Sequence, residues 1–173
     1  MATFTVTVLG TGTSQGVPRI GCQCDTCTST DPRDKRSRCS VYIQSPEASW
    51  VIDTGPDFRQ QILRAGIRHV DAVLFTHEHK DHTAGMDDIR GFNYAQKSSI
   101  PLYAQAPVIE QLKREFAYAF AEDKYPGVPE IEVHEIDFDG IPGLYGSSNP
   151  IHCRNIFPFF LKSSKPLVPE DKD

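Results

Sequence analysis

Short stretches of alternating apolar and polar residues, separated by turns rich in glycine and proline, run along the chain as far as Ile136. Alternation with a period of two is typical of half-buried strands. It predicts strands over residues 3–9, with Phe4, Val6 and Val8 facing inward, and over residues 131–136. Apolar or β-branched runs predict further strands over 40–44, 49–52, 73–75 and 100–104, the first two joined as a hairpin.

Apolar residues at helical spacing predict three helices between these strands. The first covers residues 57–65, buries Phe58, Ile62 and Leu63 on one face, and stops at Gly66. The second covers residues 87–95. The third opens at Pro107, and its apolar stripe consists of Ile109, Leu112, Phe116 and Phe120. We expect that stripe to be core rather than a cofactor contact.

This periodicity ends near Ile141, and five of the 13 prolines lie between Pro142 and Pro169. We therefore predict one domain over residues 1–140 and a divergent or truncated segment over residues 141–173. Within that segment, residues 156–161 are apolar enough to pack as an edge strand, and residues 163–173 are expected to be disordered.

Composition narrows the class of protein. The 173 residues fit one domain, and 39% hydrophobic with 24% charged residues is typical of a globular protein. The net charge of −5 argues against a nucleic-acid partner, because no global positive field is present. No signal segment or bilayer-spanning run is found, so we expect a cytoplasmic protein without a membrane partner.

The strongest chemical signal follows the apolar run 73–75, where His77, His79, Asp81 and His82 occur within six residues. Alternate side chains of an extended segment share a face, so His77 and His79 can converge on one ion. Imidazole and carboxylate together suit zinc, and also iron or manganese. The alternative is a polar turn that happens to be rich in histidine.

Three of the five cysteines form a second cluster, Cys22, Cys24 and Cys27. Three thiols at this spacing can occupy three corners of a tetrahedral zinc site, with Cys39, Cys153 or a histidine as the fourth ligand. A catalytic thiol is a weaker interpretation, because no paired base is identifiable nearby. Chance clustering of small residues is the remaining alternative.

Three other features have two interpretations each. Asp53, at the end of a strand, either caps the next helix or supports a metal-bound histidine. The glycine-rich stretch 10–18 is either a phosphate cradle or, more simply, a tight loop passing close to a site. The basic run 33–38 is either a solvated loop or a contact for an anionic substrate.

Together these motifs resemble the metallo-β-lactamase-fold hydrolases. The resemblance covers residues 3–136 and rests on four stretches: Leu9-Gly10-Thr11-Gly12-Thr13, Gly16-Val17-Pro18, Val51-Ile52-Asp53-Thr54-Gly55 and Thr76-His77-Glu78-His79-Lys80-Asp81-His82. The cysteine cluster and Arg38-Cys39-Ser40 are similar to the phosphoribosyl cyclic phosphate phosphodiesterase branch of the carbon–phosphorus lyase pathway, with ribonuclease Z a more distant relative. The resemblance implies an α/β (α+β) fold, the N-terminal half of an αββα sandwich, followed by an irregular segment.

The resemblance also implies roles for individual residues. His77 and His79 would bind one catalytic zinc ion, and Asp81 and His82 a second, with manganese as an alternative metal. Asp81 would also orient the attacking water. Cys22, Cys24 and Cys27 would hold a separate structural zinc, and Asp53 would support the catalytic site from behind.

The family's later metal ligands have no clear counterpart in this sequence. His152 is a candidate third histidine, whereas His134 lies in an alternating strand and is expected to be a strand-face residue. We therefore expect a truncated or frame-altered family member, whose exposed apolar surface favours a homodimer. Three functions follow: a metal-dependent hydrolase of a small cyclic or linear phosphodiester; a metal-binding protein without turnover; or, with less support, a nuclease of the ribonuclease Z type.

Overall fold

The computed structural model describes residues 3–136 of the chain. The predictions for residues 141–173, including those for His152 and Cys153, lie outside the described residues. The strands are β1 (Thr5–Gly10), β2 (Ser40–Gln44), β3 (Ser49–Ile52), β4 (Ala72–Leu74), β5 (Ile100–Ala104) and β6 (Ile131–Glu135).

The six strands form one sheet in which every strand pairs with the next along the chain. β1, β2 and β3 are antiparallel, and β2 and β3 are joined by a tight turn in which Ser45 N–H donates to the Ala48 carbonyl at 2.8 Å. β3, β4, β5 and β6 are parallel, with Ile52 opposite Leu74 and Leu74 opposite Tyr103. Parallel neighbours require crossover connections, and the helices supply them.

The helices are α1 (Asp25–Thr28), α2 (Phe58–Ala65), α3 (Lys80–Thr83), α4 (Arg90–Gln96), α5 (Ala106–Glu115) and α6 (Ala117–Phe120). Two 3-10 turns, Pro32–Asp34 and Met86–Ile89, complete the elements of residues 3–136. None of the helices in this part of the chain has the length and apolar character that crossing a bilayer would require.

The main hydrophobic core lies between one face of the sheet and the longer helices. Val51, Val73 and Leu102 supply its centre from three adjacent strands. Phe58 of α2 and Leu112 of α5 pack onto them and are almost completely buried. The sheet therefore holds the loops at its carboxyl edge on a rigid, dehydrated support.

The prediction for the first strand was partly wrong. β1 begins at Thr5, and Val6 and Val8 are exposed instead of facing inward, whereas Leu9 is buried. β1 pairs on one side with β2, and its threonine face, which ends in Leu9, is the one turned toward the core. Alternation alone locates a strand without saying which of its faces is buried.

Two helix predictions also need correction. Leu63 of α2 is 60% exposed, and the buried position beside Phe58 and Ile62 is the polar Gln61, whose amide donates to the Arg38 carbonyl at 2.7 Å. The helix predicted from Pro107 breaks at Phe116, where φ is −118° and ψ is 40°, and α6 follows as a separate turn. The other predicted elements are present to within a few residues.

Candidate metal centre

The carboxyl ends of β3 and β4 carry the histidine loop, which we define as residues 76–83, and its support. Because the two strands are parallel and in register, Asp53 and Thr76 emerge at the same edge of the sheet. Asp53 N–H donates to the Leu74 carbonyl at 2.9 Å, which extends the pairing one step beyond the strands.

Two glycines allow the histidine loop to approach the end of β3 closely. Thr54 N–H donates to the His82 carbonyl at 2.8 Å, and Gly85 N–H donates to the Thr54 carbonyl at 2.7 Å. A Cβ atom on Gly55 would overlap the Asp81 carbonyl oxygen, and one on Gly85 would overlap the Gly55 carbonyl oxygen. Backbone packing at this distance is available only to glycine.

The buried carboxylate of Asp53 organises the loop from beneath. It accepts hydrogen bonds from Thr76 N–H at 2.8 Å, from the Thr76 hydroxyl at 2.7 Å, and from His82 Nδ1 at 2.7 Å. Asp53 is 3% exposed and has φ of +62°, a left-handed conformation that aspartate tolerates better than most residues. The helix-cap alternative for Asp53 is wrong, because α2 begins after Asp57.

The three imidazoles of the loop lie against one another. The ring centroids of His77 and His79 are 4.8 Å apart, and those of His77 and His82 are 3.9 Å apart. His82 Nε2 faces Asp81 Oδ2 at 3.2 Å. His77 therefore lies beside both other histidines, and His82 lies beside Asp81. Among the described residues, however, the cysteines are the group whose ligand atoms all lie within 4.8 Å of one another.

Electrostatics favour the metal-binding form of His77. Burial lowers the pKa of His77, and the neighbouring His82 and His79 lower the pKa further, while Asp53 and Asp81 partly oppose the shift. A neutral imidazole has a lone pair for a metal ion. Neutral imidazoles beside a carboxylate are the donor set that zinc prefers in hydrolytic sites, so the residues present fit such an ion.

Lys80, which lies between His79 and Asp81 in the sequence, forms an ion pair with a residue of helix α5. Lys80 Nζ lies 2.8 Å from Glu115 Oε2 at the end of α5, and Glu115 also accepts a hydrogen bond from Gln111. This pair directs the Lys80 side chain away from the imidazoles and toward α5.

The cysteine loop, which we define as residues 21–27, lies apart from this network. The Sγ atoms of Cys22, Cys24 and Cys27 are all within 4.8 Å of one another, and those of Cys22 and Cys24 are 3.4 Å apart. Thiolates on one tetrahedral zinc ion lie about 3.8 Å apart, given Zn–S bonds of about 2.3 Å. Three sulfur ligands thus fit one ion, and Cys39 is not part of the group.

Arg19 and backbone N–H groups surround these sulfurs. The hydrogen bond from the Cys24 backbone lowers the pKa of Cys22 to about 6, helped by the thiols of Cys24 and Cys27 and by the Arg19 guanidinium. The hydrogen bond from the Cys27 backbone lowers the pKa of Cys24, but the hydrogen bonds with the Cys22 and Cys27 thiols, burial and the charge of Cys22 together raise it. A thiolate of this kind is a better metal ligand than a thiol.

The structure shows the contacts of the basic run 33–38 and of His134. Arg38 pairs with Asp57 at 3.0 Å and donates to the Ser14 carbonyl, so it fixes the glycine-rich loop, whereas Arg33 is a solvated residue paired only locally with Asp31. His134 stacks on Tyr103, with ring centroids 4.9 Å apart, and lies on the strand face as expected.

Sequence reasoning missed Thr76 as a functional residue. Its hydroxyl lies 2.9 Å from His77 Nδ1 and also contacts Asp53. A threonine at the end of an apolar strand is common, and only its position directly before the first histidine separates it from other threonines in the chain.

Comparison with known families then identifies the class of protein. Residues 50–149 match the β-lactamase superfamily domain, more than half of the 173-residue chain. The chain therefore belongs to this superfamily, whose members are generally hydrolases. The α/β fold class and the resemblance to metallo-β-lactamase-fold proteins are both confirmed.

Individual relatives refine that assignment. A solved diphosphatase of the PhnP family is 42% identical, with a TM-score of 0.70 over 79% of this chain and 52% of that protein. An octanoyltransferase of Porphyromonas gingivalis is 43% identical over 133 residues, which are 76% of this chain and 27% of that protein. Zinc-bound PqqB of Methylobacterium extorquens shares the fold, with a TM-score of 0.59 at 24% identity over 82% of this chain and 50% of that protein. This chain thus spans about half the length of these proteins, or less.

Proposed function

We propose that this chain is a metal-dependent hydrolase of small phosphodiesters, with the catalytic cations held by the histidine loop. The observation that carries the proposal is the packing of His77 against His79 and His82, with Asp81 beside His82 and the buried Asp53 carboxylate beneath. The 42% identity with a PhnP-family diphosphatase supports a substrate with a phosphorus–oxygen bond. A cytoplasmic location remains our prediction.

Zinc is the cation we propose, with manganese as the alternative. His77 and His79 would hold one ion and Asp81 and His82 a second, while the three thiols of the cysteine loop would hold a structural zinc. Zinc favours nitrogen and sulfur donors, whereas manganese is better matched to oxygen donors. The histidine loop offers imidazole nitrogens and the carboxylate oxygens of Asp81.

Bound cations would supply a water of lowered pKa and neutralise charge on the phosphate oxygens. The chain's own groups do the rest. The Asp81 carboxylate would orient the attacking water and accept its proton. The water oxygen would bond to phosphorus as the bond from phosphorus to the ester oxygen breaks, and the leaving ester oxygen would take up the proton. Asp53 holds His82 in place, so that little reorganisation is needed during the reaction.

A second candidate function is metal binding without turnover. Within residues 3–136 the histidine loop offers four candidate ligands, which is one tetrahedral shell rather than two. A nuclease of the ribonuclease Z type has less support, because the net charge is −5 and Arg38 is already paired with Asp57.

Two measurements on one sample separate these functions. Metal content is determined on the purified chain, and hydrolysis of bis(p-nitrophenyl) phosphate is then followed with added zinc or manganese. His77→Ala should lose activity and all metal beyond the one zinc assigned to the cysteine loop, while the matched control His134→Ala, a histidine on the strand face, keeps both. Metal without turnover would favour the binding protein, and a His77→Ala variant with unchanged metal content would overturn the proposal.

A further inference from the structure

The Thr76 hydroxyl occupies a branch point between the buried carboxylate and the first histidine of the loop. Its Oγ1 lies 2.7 Å from Asp53 Oδ2 and 2.9 Å from His77 Nδ1. Thr76 is itself buried, with 5% of its surface exposed, so water does not easily compete for these bonds.

The number of protons at this branch point decides the direction of each bond. A hydroxyl has one proton to donate and two lone pairs to accept with. An ionised carboxylate can only accept, so the contact with Asp53 uses the Thr76 proton. The contact with His77 must then use a Thr76 lone pair, and His77 Nδ1 must carry the hydrogen.

The same reasoning applies to the last histidine of the loop. His82 Nδ1 lies 2.7 Å from Asp53 Oδ2 and has to donate to it. Both imidazoles are therefore protonated at Nδ1. His77 presents Nε2 as its electron-pair donor, whereas His82 Nε2 faces the Asp81 carboxylate at 3.2 Å. Asp53 acts on His82 directly and on His77 through one intervening hydroxyl.

We propose that Thr76 is a positioning residue. Its hydroxyl donates to Asp53 and accepts from His77, which fixes the His77 ring as the Nδ1–H tautomer and leaves Nε2 available to a metal ion. The inference rests on the proposed metal centre of the histidine loop. It adds a specific route by which one buried carboxylate fixes the Nδ1 proton of a histidine from each proposed ligand pair.

The first test needs no metal. Long-range ¹H–¹⁵N correlation spectra of the full, metal-free chain at pH 7.5 report which nitrogen of each histidine is protonated. We expect Nδ1–H for His77 in the parent chain and in Thr76→Ser, and a mixture of tautomers in Thr76→Val, which keeps the backbone N–H to Asp53. A parent His77 protonated at Nε2 would overturn the proposal whether or not the variants fold.

The second test measures zinc affinity by competition with a chromophoric chelator. Thr76→Val should bind zinc at the histidine loop about 10- to 100-fold more weakly, and Thr76→Ser should regain the parent affinity. Thr83→Val is the matched control, because within residues 3–136 this buried hydroxyl bonds only the His79 carbonyl, at 3.2 Å. Equal losses in Thr76→Val and Thr83→Val would make the role of Thr76 merely structural and overturn the proposal.

The two tests separate this inference from the proposed function. A chain that binds no metal at the histidine loop defeats the proposed function, while the tautomer spectrum still decides the role of Thr76. A chain that hydrolyses phosphodiesters with His77 protonated at Nε2 leaves the function standing and defeats the inference.

Discussion

The histidine loop and the cysteine loop hold their candidate ligands in opposite ways. The histidines rest on Asp53 and Thr76, which are 3% and 5% exposed and fixed by adjacent parallel strands. Within the described part of the chain, the partners of the cysteine sulfurs are one another, Arg19 and nearby backbone groups, and Cys24 is exposed. The first site is held by buried hydrogen bonds of the fold, and we predict that the second gains most of its order from a bound metal.

This difference matches the demands on the two kinds of site. A catalytic centre needs ligands held in place throughout the reaction, and buried hydrogen bonds supply that. A structural centre can gain its order at the moment of binding, because the binding free energy then becomes folding free energy.

Removing the Asp53 carboxylate should have the largest effect on this contrast. Asp53→Ala leaves the two donors of Thr76 and the Nδ1–H of His82 without their acceptor. We expect a loss of about 3 kcal/mol in the free energy of unfolding. Urea denaturation of the metal-free chain measures it. Asp25→Ala, an exposed aspartate of the cysteine loop, is the control and should leave the midpoint unchanged. Similar midpoints for both variants would show that the histidine loop is no better supported.

Adding one methyl group beside each loop should lower stability by a smaller amount, and by less at the cysteine loop than at the histidine loop. Gly55→Ala forces a Cβ atom into the Asp81 carbonyl, and overpacking of this kind costs about 1–3 kcal/mol. Gly21→Ala meets no atom within 4 Å and carries only the cost of its left-handed backbone, about 1 kcal/mol. Thermal melts with metal analysis compare the two. A larger cost at Gly21, or full metal content in Gly55→Ala, would contradict the prediction.

Zinc should change amide exchange in one loop more than in the other. Backbone amides of residues 21–27 should exchange quickly in the metal-free chain and slow down when zinc is added. Thr83 N–H and His82 N–H already donate to the His79 carbonyl, so we expect them to be protected throughout. Hydrogen–deuterium exchange with and without chelator measures this. Equal zinc-induced protection in both loops would contradict the contrast.

The smallest perturbation is chemical labelling of one thiol. Because the pKa of Cys22 is lowered to about 6, its thiolate, the reactive form, becomes dominant as the pH rises through that value. Iodoacetamide labelling of the metal-free chain, mapped by mass spectrometry, should therefore rise for Cys22 with a midpoint near pH 6. Cys24, whose pKa is raised, should react only at alkaline pH. Equal pH profiles for the two thiols would remove the proposed preference for a thiolate at Cys22.

Much of the fold could be predicted from local patterns. The parallel strands around Val51, Val73 and Leu102 are short apolar runs, and the crossovers between them carry helical periodicity. The metal-ligand spacing in the two loops also depends on neighbouring residues alone. Predictions of this kind succeed because sequence distance and spatial distance agree.

The predictions that failed depended on distant partners. Val6 and Val8 satisfy the alternation rule, yet the face of β1 turned to the core is the one with Thr7 and Leu9. Gln61 is buried because its amide reaches the Arg38 carbonyl across the fold. Thr76 gains its significance from Asp53, which precedes it by a whole crossover. No window of neighbouring residues contains these contacts.

The sequential strand order has a consequence for how the chain folds. Asp53 and the histidine loop are separated only by α2 and β4, so contacts spanning 23 to 29 residues join the support to the ligands without β5 or β6. Closing a loop of this length costs only modestly more entropy than closing a shorter one. During synthesis the carboxylate, the hydroxyl and the imidazoles should therefore meet soon after His82 leaves the ribosome, before β5 and β6 have been added to the sheet.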